Sequence, residues 1–136
     1  MEEKWIRWEP IPKLSKKYYV ESIIDNINGF KILLSEENNT EEKVLVSFPD
    51  TIRAYRSTSD SFLIQTISYL DKTYGSNFYG NWTFFKIKDS KYLEWLNEES
   101  EGISKDYMMK HFCILAMNSM IDIVTGSEPT VVHIQK

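Results

Sequence analysis

The stretch His111–Thr125, HFCILAMNSMIDIVT, decides how the rest of the chain is arranged. Phe112 to Met117 is the longest unbroken apolar run, and the same character resumes after Asn118-Ser119. If those two residues turn a hairpin, Met117 pairs with Met120, and Ala116, Ile114 and Phe112 face Ile121, Ile123 and Thr125 across the strands. That face is almost wholly hydrocarbon. The opposite face carries Cys113, Leu115, Met117, Met120 and Val124, interrupted only by His111 and Asp122, so both faces require cover and the hairpin belongs at the centre of a sheet. The rival reading is a helix over residues 105–118, since Met, Lys, Leu and Ala favour helix, but the apolar residues there show no one-sided stripe of period 3.6.

Working outward, Gly126-Ser127-Glu128-Pro129 reads as a turn and Thr130 to Ile134 as a final strand. Upstream, Asp89 or Ser90 caps a short helix over about 91–99, with Tyr92, Trp95, Leu96 and Leu93 turned inward. Trp82 to Lys88 alternates as a strand, preceded by a loop at Asn77 to Asn81. A longer helix over about 60–74 has Ser59 as N-cap, Phe62, Leu63, Thr66, Ile67, Leu70 and Tyr74 on one face, and Gly75 at its end. Arg56 and Asp60 are placed to pair across the junction before it. Strands are expected at Tyr18 to Ile24 and Phe30 to Leu34, joined at Asp25-Asn26-Ile27-Asn28-Gly29, then at Val44 to Phe48 and Ile52 to Arg56. The opening residues, about 1–17, hold Trp5, Trp8, Pro10 and Pro12 and read as an extended arm. The predicted class is α+β: a mainly antiparallel sheet packed with one long and one short helix, in a single domain over 1–136.

The 136 residues suffice for one core without metals or disulfides. The lone Cys113 sits in the most apolar run, which points to a small buried hydrophobe rather than a nucleophile. MEEKWIRWEP lacks the apolar segment of a signal peptide and no run could span a bilayer, so a cytoplasmic, non-membrane protein is expected. Lys13, Lys16 and Lys17 beside Tyr18 and Tyr19 hint at a nucleic-acid surface, but Glu2, Glu3 and Glu9 lie close and the net charge is −4. No nucleic-acid partner is expected. Between Asp89 and Asp106 six acids face two lysines, an excess equal to that of the entire chain. Glu98 and Glu99 also stand in the last turn of the short helix, where the macrodipole disfavours acids. Glu94, Glu98, Glu99, Glu101 and Asp106 are therefore the candidate partner-binding residues, suited to a basic surface.

Catalytic and metal patterns are fragmentary. His111 and His133 belong to no HExxH, HxH or Cys/His spacing, so no metal or cofactor is expected, and phosphate-cradling glycine motifs are missing. His111 with Asp106 or Asp122 and Cys113 can be assembled as base, orienter and nucleophile only against the core. The expectation is a protein that is not an enzyme, with an aromatic pocket around Trp82, Tyr92 and Trp95 as the alternative, ligand-binding or enzymatic, site.

Taken together, YYVESIIDNINGFKILLS, AYRSTSD, WTFFKIKDSKYLEWLNEES and HFCILAMNSMIDIVTGSEPTVV resemble small single-domain immunity proteins of bacterial polymorphic-toxin systems. The resemblance covers most of the chain from Tyr18 onward. It implies a non-enzymatic binding protein that neutralises a cognate toxin by covering its active surface. Trp95 with Glu98 and Glu99, and Asp122 before Glu128-Pro129, serve in it as fold markers that identify no toxin.

Overall fold

Period-two alternation turns most of this chain into strands. The computed structural model describes residues 2–134, with all side chains among them except those of Lys105 and Asp106. The strands are β1 (Lys4–Arg7), β2 (Tyr18–Asn26), β3 (Gly29–Glu36), β4 (Lys43–Phe48), β5 (Ala54–Ser59), β6 (Phe84–Lys88), β7 (Lys110–Leu115), β8 (Ser119–Thr125) and β9 (Thr130–Ile134). The helices are α1 (Ile64–Tyr74), α2 (Ser76–Gly80) and α3 (Lys91–Glu99). Five strands form one antiparallel sheet in the order β1-β6-β7-β8-β5, and four form a second in the order β2-β3-β4-β9. The class is α+β, as the alternation and the helical stripes predict.

The β7–β8 hairpin lies at the centre of the larger sheet, and both of its faces are covered. Phe112, Ile114, Ile121 and Ile123 meet Ile32, Leu34, Val44 and Val46 of the second sheet in one core. On the reverse face Cys113, Leu115 and Met120 join Phe85, Leu63 and Leu70 beneath α1. The arrangement is therefore helices, five-stranded sheet, four-stranded sheet. The rival helix over residues 105–118 does not form.

The hairpin register differs from the expected one by two residues. Leu115 pairs with Met120 and Ile114 with Ile121, so Met117 is no longer in the ladder. A slip of two leaves every side chain on its own face, which is why the burial pattern survives it. The tip opens because it is used elsewhere. Met117 N donates to Tyr18 O at 2.8 Å, while the Asn118 amide accepts from Val20 N at 2.9 Å and donates to Val20 O at 3.1 Å. Asn118 thus substitutes for a strand beside β2, next to the irregularity between Val20 and Ser22, and ties the two sheets together.

The opening residues contribute more than an arm: β1 adds an edge to the larger sheet and places Trp5, 5% exposed, against Phe85. Lys17, counted among the basic residues of a possible nucleic-acid surface, is buried. Its ammonium donates to Tyr79 O (3.0 Å), Trp82 O (2.8 Å) and Leu115 O (2.6 Å), joining the arm to α2 and to β7. Burial lowers its pKa from 10.5 to about 8.

Several boundaries differ from expectation for local reasons. Strand β5 begins two residues later than predicted and runs through Ser59, because the ladder to β8 continues to Ser59↔Ser119 and Asp60 N bonds Asn118 O. Ser59 is therefore not the helix cap. Asp60–Phe62 form a 3-10 turn, α1 starts at Ile64 after Leu63, and Phe62 is left 81% exposed. Gly75, at φ 84°, ends α1 as predicted, but the chain then winds into α2, where a loop was expected, because Phe78 stacks on Tyr74 at 4.3 Å. In α3, Ser90 is the cap, its hydroxyl accepting from Leu93 N, whereas Trp95 points outward and is half exposed.

Ile114 and Ile121 are at most 1% exposed, so Ile114→Ala or Ile121→Ala is expected to lower stability by about 2–5 kcal/mol, read as a fall in the denaturant midpoint. Lys17 makes a second prediction. The unfolded chain binds this proton up to pH 10.5 and the folded chain only to about 8, so stability should rise with pH across that window, by about 3 kcal/mol in all. Other groups titrate there too, so the measurement is the difference between the native protein and Lys17→Met at each pH. A difference independent of pH between 8 and 10.5 contradicts the assignment.

Candidate functional site around the third helix

Helix α3 covers the part of the central hairpin that α1 does not reach, where the two polar interruptions of the hairpin lie. Strand pairing sets Cys113 opposite Asp122 and Asp122 opposite Arg56, giving one row across three strands, with His111 paired to Val124 next to it. Arg56 Nε donates to Asp122 Oδ2 at 2.8 Å, and His111 Nε2 lies 2.6 Å from Asp122 Oδ1. His111 Nδ1 lies 2.6 Å from Ser90 Oγ. The proton assignment that satisfies every group puts hydrogen on Nε2, donated to the carboxylate, with the Ser90 hydroxyl donating to Nδ1 while accepting from Leu93 N. The cap of α3 is thereby linked through His111 to a carboxylate in the sheet. The expected Arg56–Asp60 pair does not form, because Asp122 lies directly opposite Arg56 in the ladder.

Burial pushes the Asp122 carboxyl upward, but the hydrogen bonds from His111 and Arg56 and the charge of Arg56 outweigh it and hold its pKa below the ordinary 3.8. Cys113 moves the other way. Burial, reinforced by the charge of Asp122, keeps its pKa well above the usual thiol value, so it remains an unreactive thiol.

Ser90, His111 and Asp122 are the residue types of an acyl-transfer trio, and their mutual distances are short enough for proton transfer. Their surroundings do not suit that chemistry. All three are at most 5% exposed, and the nearby amides are already occupied: Leu93 N on Ser90 Oγ, Lys91 N on Glu3 Oε2 at 2.8 Å, and Glu94 N on Ser90 O. No donor among these is left for a developing oxyanion. What the network does is hold α3 on the sheet at a fixed height.

So held, α3 separates two surface grooves. On one side Asp89, Glu94, Asn97 and Glu98 rim a cavity of about 640 Å³, with Leu93, Met108 and Met109 also lining it. Of the predicted partner-binding residues, Glu94 and Glu98 share this groove. Glu99 and Glu101 are exposed beyond it, and the side chain of Asp106 lies outside the described residues. Sequence reading missed the apolar component of the groove, where Met108 is 83% exposed; Ile103 and Tyr107 of the same segment are 57% and 53% exposed but do not line it.

On the other side Tyr55, Arg56, Lys91, Tyr92 and Trp95 line a groove of about 600 Å³. Tyr92 and Trp95 stack nearly parallel at 5.7 Å, and the Arg56 guanidinium lies 4.2 Å over Tyr92. Trp82 is not part of this cluster. It packs beside Phe84, and its indole N–H donates to Trp8 O at 2.9 Å, so the expected three-ring pocket is reduced to Tyr92 and Trp95. Among the described residues no cluster of three or more His, Cys, Asp or Glu could hold a metal, and no helix is long and apolar enough to cross a membrane. No protein-family model matches the chain, and no curated protein or solved structure matches it.

Removing the carboxylate that His111 and Arg56 share should be costly: Asp122→Ala is expected to lose about 3 kcal/mol, because a buried histidine and a cation are left unmatched. The folded pKa of Asp122 is depressed, so its contribution is complete above pH 3.8 and is lost as pH falls through the lower folded value. Acid unfolding followed in parallel should therefore show native protein and variant converging at low pH, and a constant gap would contradict the network.

Proposed function

We propose that this chain is a non-enzymatic binding protein of the immunity type that its sequence resembles. In this reading it acts in the cytoplasm and neutralises a cognate bacterial toxin by covering the toxin's active surface with the acidic side of α3 and the segment after it. The observation that carries the reading is the 640 Å³ groove, where carboxylates rim apolar side chains. Protein interfaces of this kind combine a desolvated apolar centre, which supplies affinity, with a charged rim, which steers encounter. The backbone supports the same reading. Glu101, Gly102 and Met108, at φ of 53°, 90° and 50°, bracket a 3-10 turn over Ile103–Tyr107, so two non-glycine residues in the left-handed region set how the segment displays Ile103, Tyr107 and Met108. The partner this surface suits has a basic contact face with at least one apolar projection.

The test is association kinetics against the toxin encoded beside this gene. Glu94→Gln with Glu98→Gln, which empties the groove rim of two charges, should slow association about tenfold at low salt and flatten its salt dependence, whereas Met108→Ala should act on dissociation. Glu99→Gln with Glu101→Gln should have the smaller effect on association, since neither lines the groove. Equal effects from both pairs, or none from either, count against this face as the contact surface.

A further inference from the structure

The groove on the opposite side of α3 has a different chemistry from the acidic one, and the toxin-binding reading makes no use of it. Its lining has two cations and three aromatic rings and no acid. Arg56 is fixed there: its Nε is committed to the buried Asp122, its plane rests on Tyr92, and its side chain is still 50% exposed. Its two Nη groups have no acceptor among the described residues, so a preformed guanidinium fork stands ready for a bidentate oxyanion. Because Asp122 balances the charge of Arg56, that residue supplies mainly directed donors. Lys91, exposed and in no ion pair among the described residues, supplies the uncompensated positive charge.

A second observation points the same way. Arg56 and Lys91 also line an adjoining cavity of about 440 Å³, whose wall includes Trp5. Trp5 Nε1 is the one buried side-chain polar atom among the described residues without a hydrogen-bond partner, and it is a donor. The unmatched groups around these two cavities include the N–H donors of Arg56, Lys91 and Trp5, and an oxyanion at the Arg56–Lys91 boundary brings acceptors to the first two. Glu2 and Glu3 line the adjoining cavity, which keeps an anion at the Arg56–Lys91 boundary rather than deeper in. Above that boundary Trp95 is half exposed and lies parallel to Tyr92, offering its outer surface as a stacking platform.

We propose that this groove binds a small planar aromatic molecule bearing an oxyanion, with the anion on Arg56 and Lys91 and the ring on Trp95. Adenosine 5′-monophosphate is the probe, titrated against the full chain by calorimetry and by tryptophan fluorescence. Saturable binding is expected, with adenosine and inorganic phosphate each at least about tenfold weaker, since each keeps only half of the recognition. Indole-3-acetate distinguishes the source of the oxyanion: binding as tight as that of the nucleotide assigns the site to aromatic carboxylates, weaker binding to phosphates, and either supports the class. Trp95→Ala and Lys91→Gln change side chains that are half exposed or exposed, so both variants should stay folded, with a modest fall in melting temperature for Trp95→Ala from the lost stack on Tyr92, and each should weaken binding about tenfold. Arg56→Lys keeps the charge but removes the fork and should weaken it similarly; if that variant fails to fold, the two surface variants decide. The proposal is overturned if neither probe binds below about 10 mM, or if Trp95→Ala and Lys91→Gln bind as the native protein does.

Discussion

A hairpin that is apolar on both faces cannot be satisfied by a two-layer structure, and the rest of this fold follows from that condition. Phe112, Ile114, Ile121 and Ile123 require one cover and Cys113, Leu115 and Met120 another, so the hairpin must lie in the middle layer of three. The second sheet provides the first cover and α1 the second. Each of these buried aliphatic side chains contributes roughly 1.5–3 kcal/mol by leaving water, against a typical net stability of 5–15 kcal/mol, so no alternative topology that exposes either face is competitive. The polar ties are secondary but specific. Lys17 and Asn118 add little hydrophobic burial, yet each satisfies backbone groups at a junction between elements that share no ladder.

The candidate sites are concentrated where the hairpin stops being apolar. His111 and Asp122 cannot be buried without partners, and the partners they take, Arg56 from the edge strand and Ser90 from the start of α3, draw a third element onto the sheet. The result is a short helix clamped at its first turn, with its two flanks free to face solvent. One flank is acidic over an apolar floor and the other is cationic among rings, although Glu94 and Trp95 are neighbours in sequence. A chain with an excess of negative charge thus keeps a locally positive cleft within a helix width of its most acidic surface.

How much of this was legible depended on whether the signal was periodic. The alternation in Phe112 to Val124 exposed the hairpin and both its faces, and the limits of α3 and β9 were marked by Asp89-Ser90 and by Gly126 to Pro129. The register of the hairpin could not, because the contacts that open its tip come from Tyr18 and Val20, about a hundred residues away. The same reason hid the partner of Arg56: Asp60 is near in sequence, Asp122 is near in the sheet, and only strand pairing distinguishes them. Exposed apolar residues such as Met108 escape any pattern search, since nothing in their spacing separates them from core.

The order of strands in the second sheet has a consequence for how the chain is made. Strands β2, β3 and β4 are consecutive and can pair as soon as they are synthesised, but β4 then waits for β9, more than eighty residues later, to cover its other edge. Over that interval β4 lacks its outer neighbour, and until β8 is made Val44, Val46 and Phe48 also lack the facing sheet. A nascent chain in this state presents an open ladder and a bare apolar face together, the combination that recruits other chains by strand addition. At typical rates of synthesis the interval lasts roughly four to sixteen seconds, long compared with hairpin formation in microseconds. The outer edge of β4 is thus the part of the half-made sandwich most open to strand addition until β9 arrives.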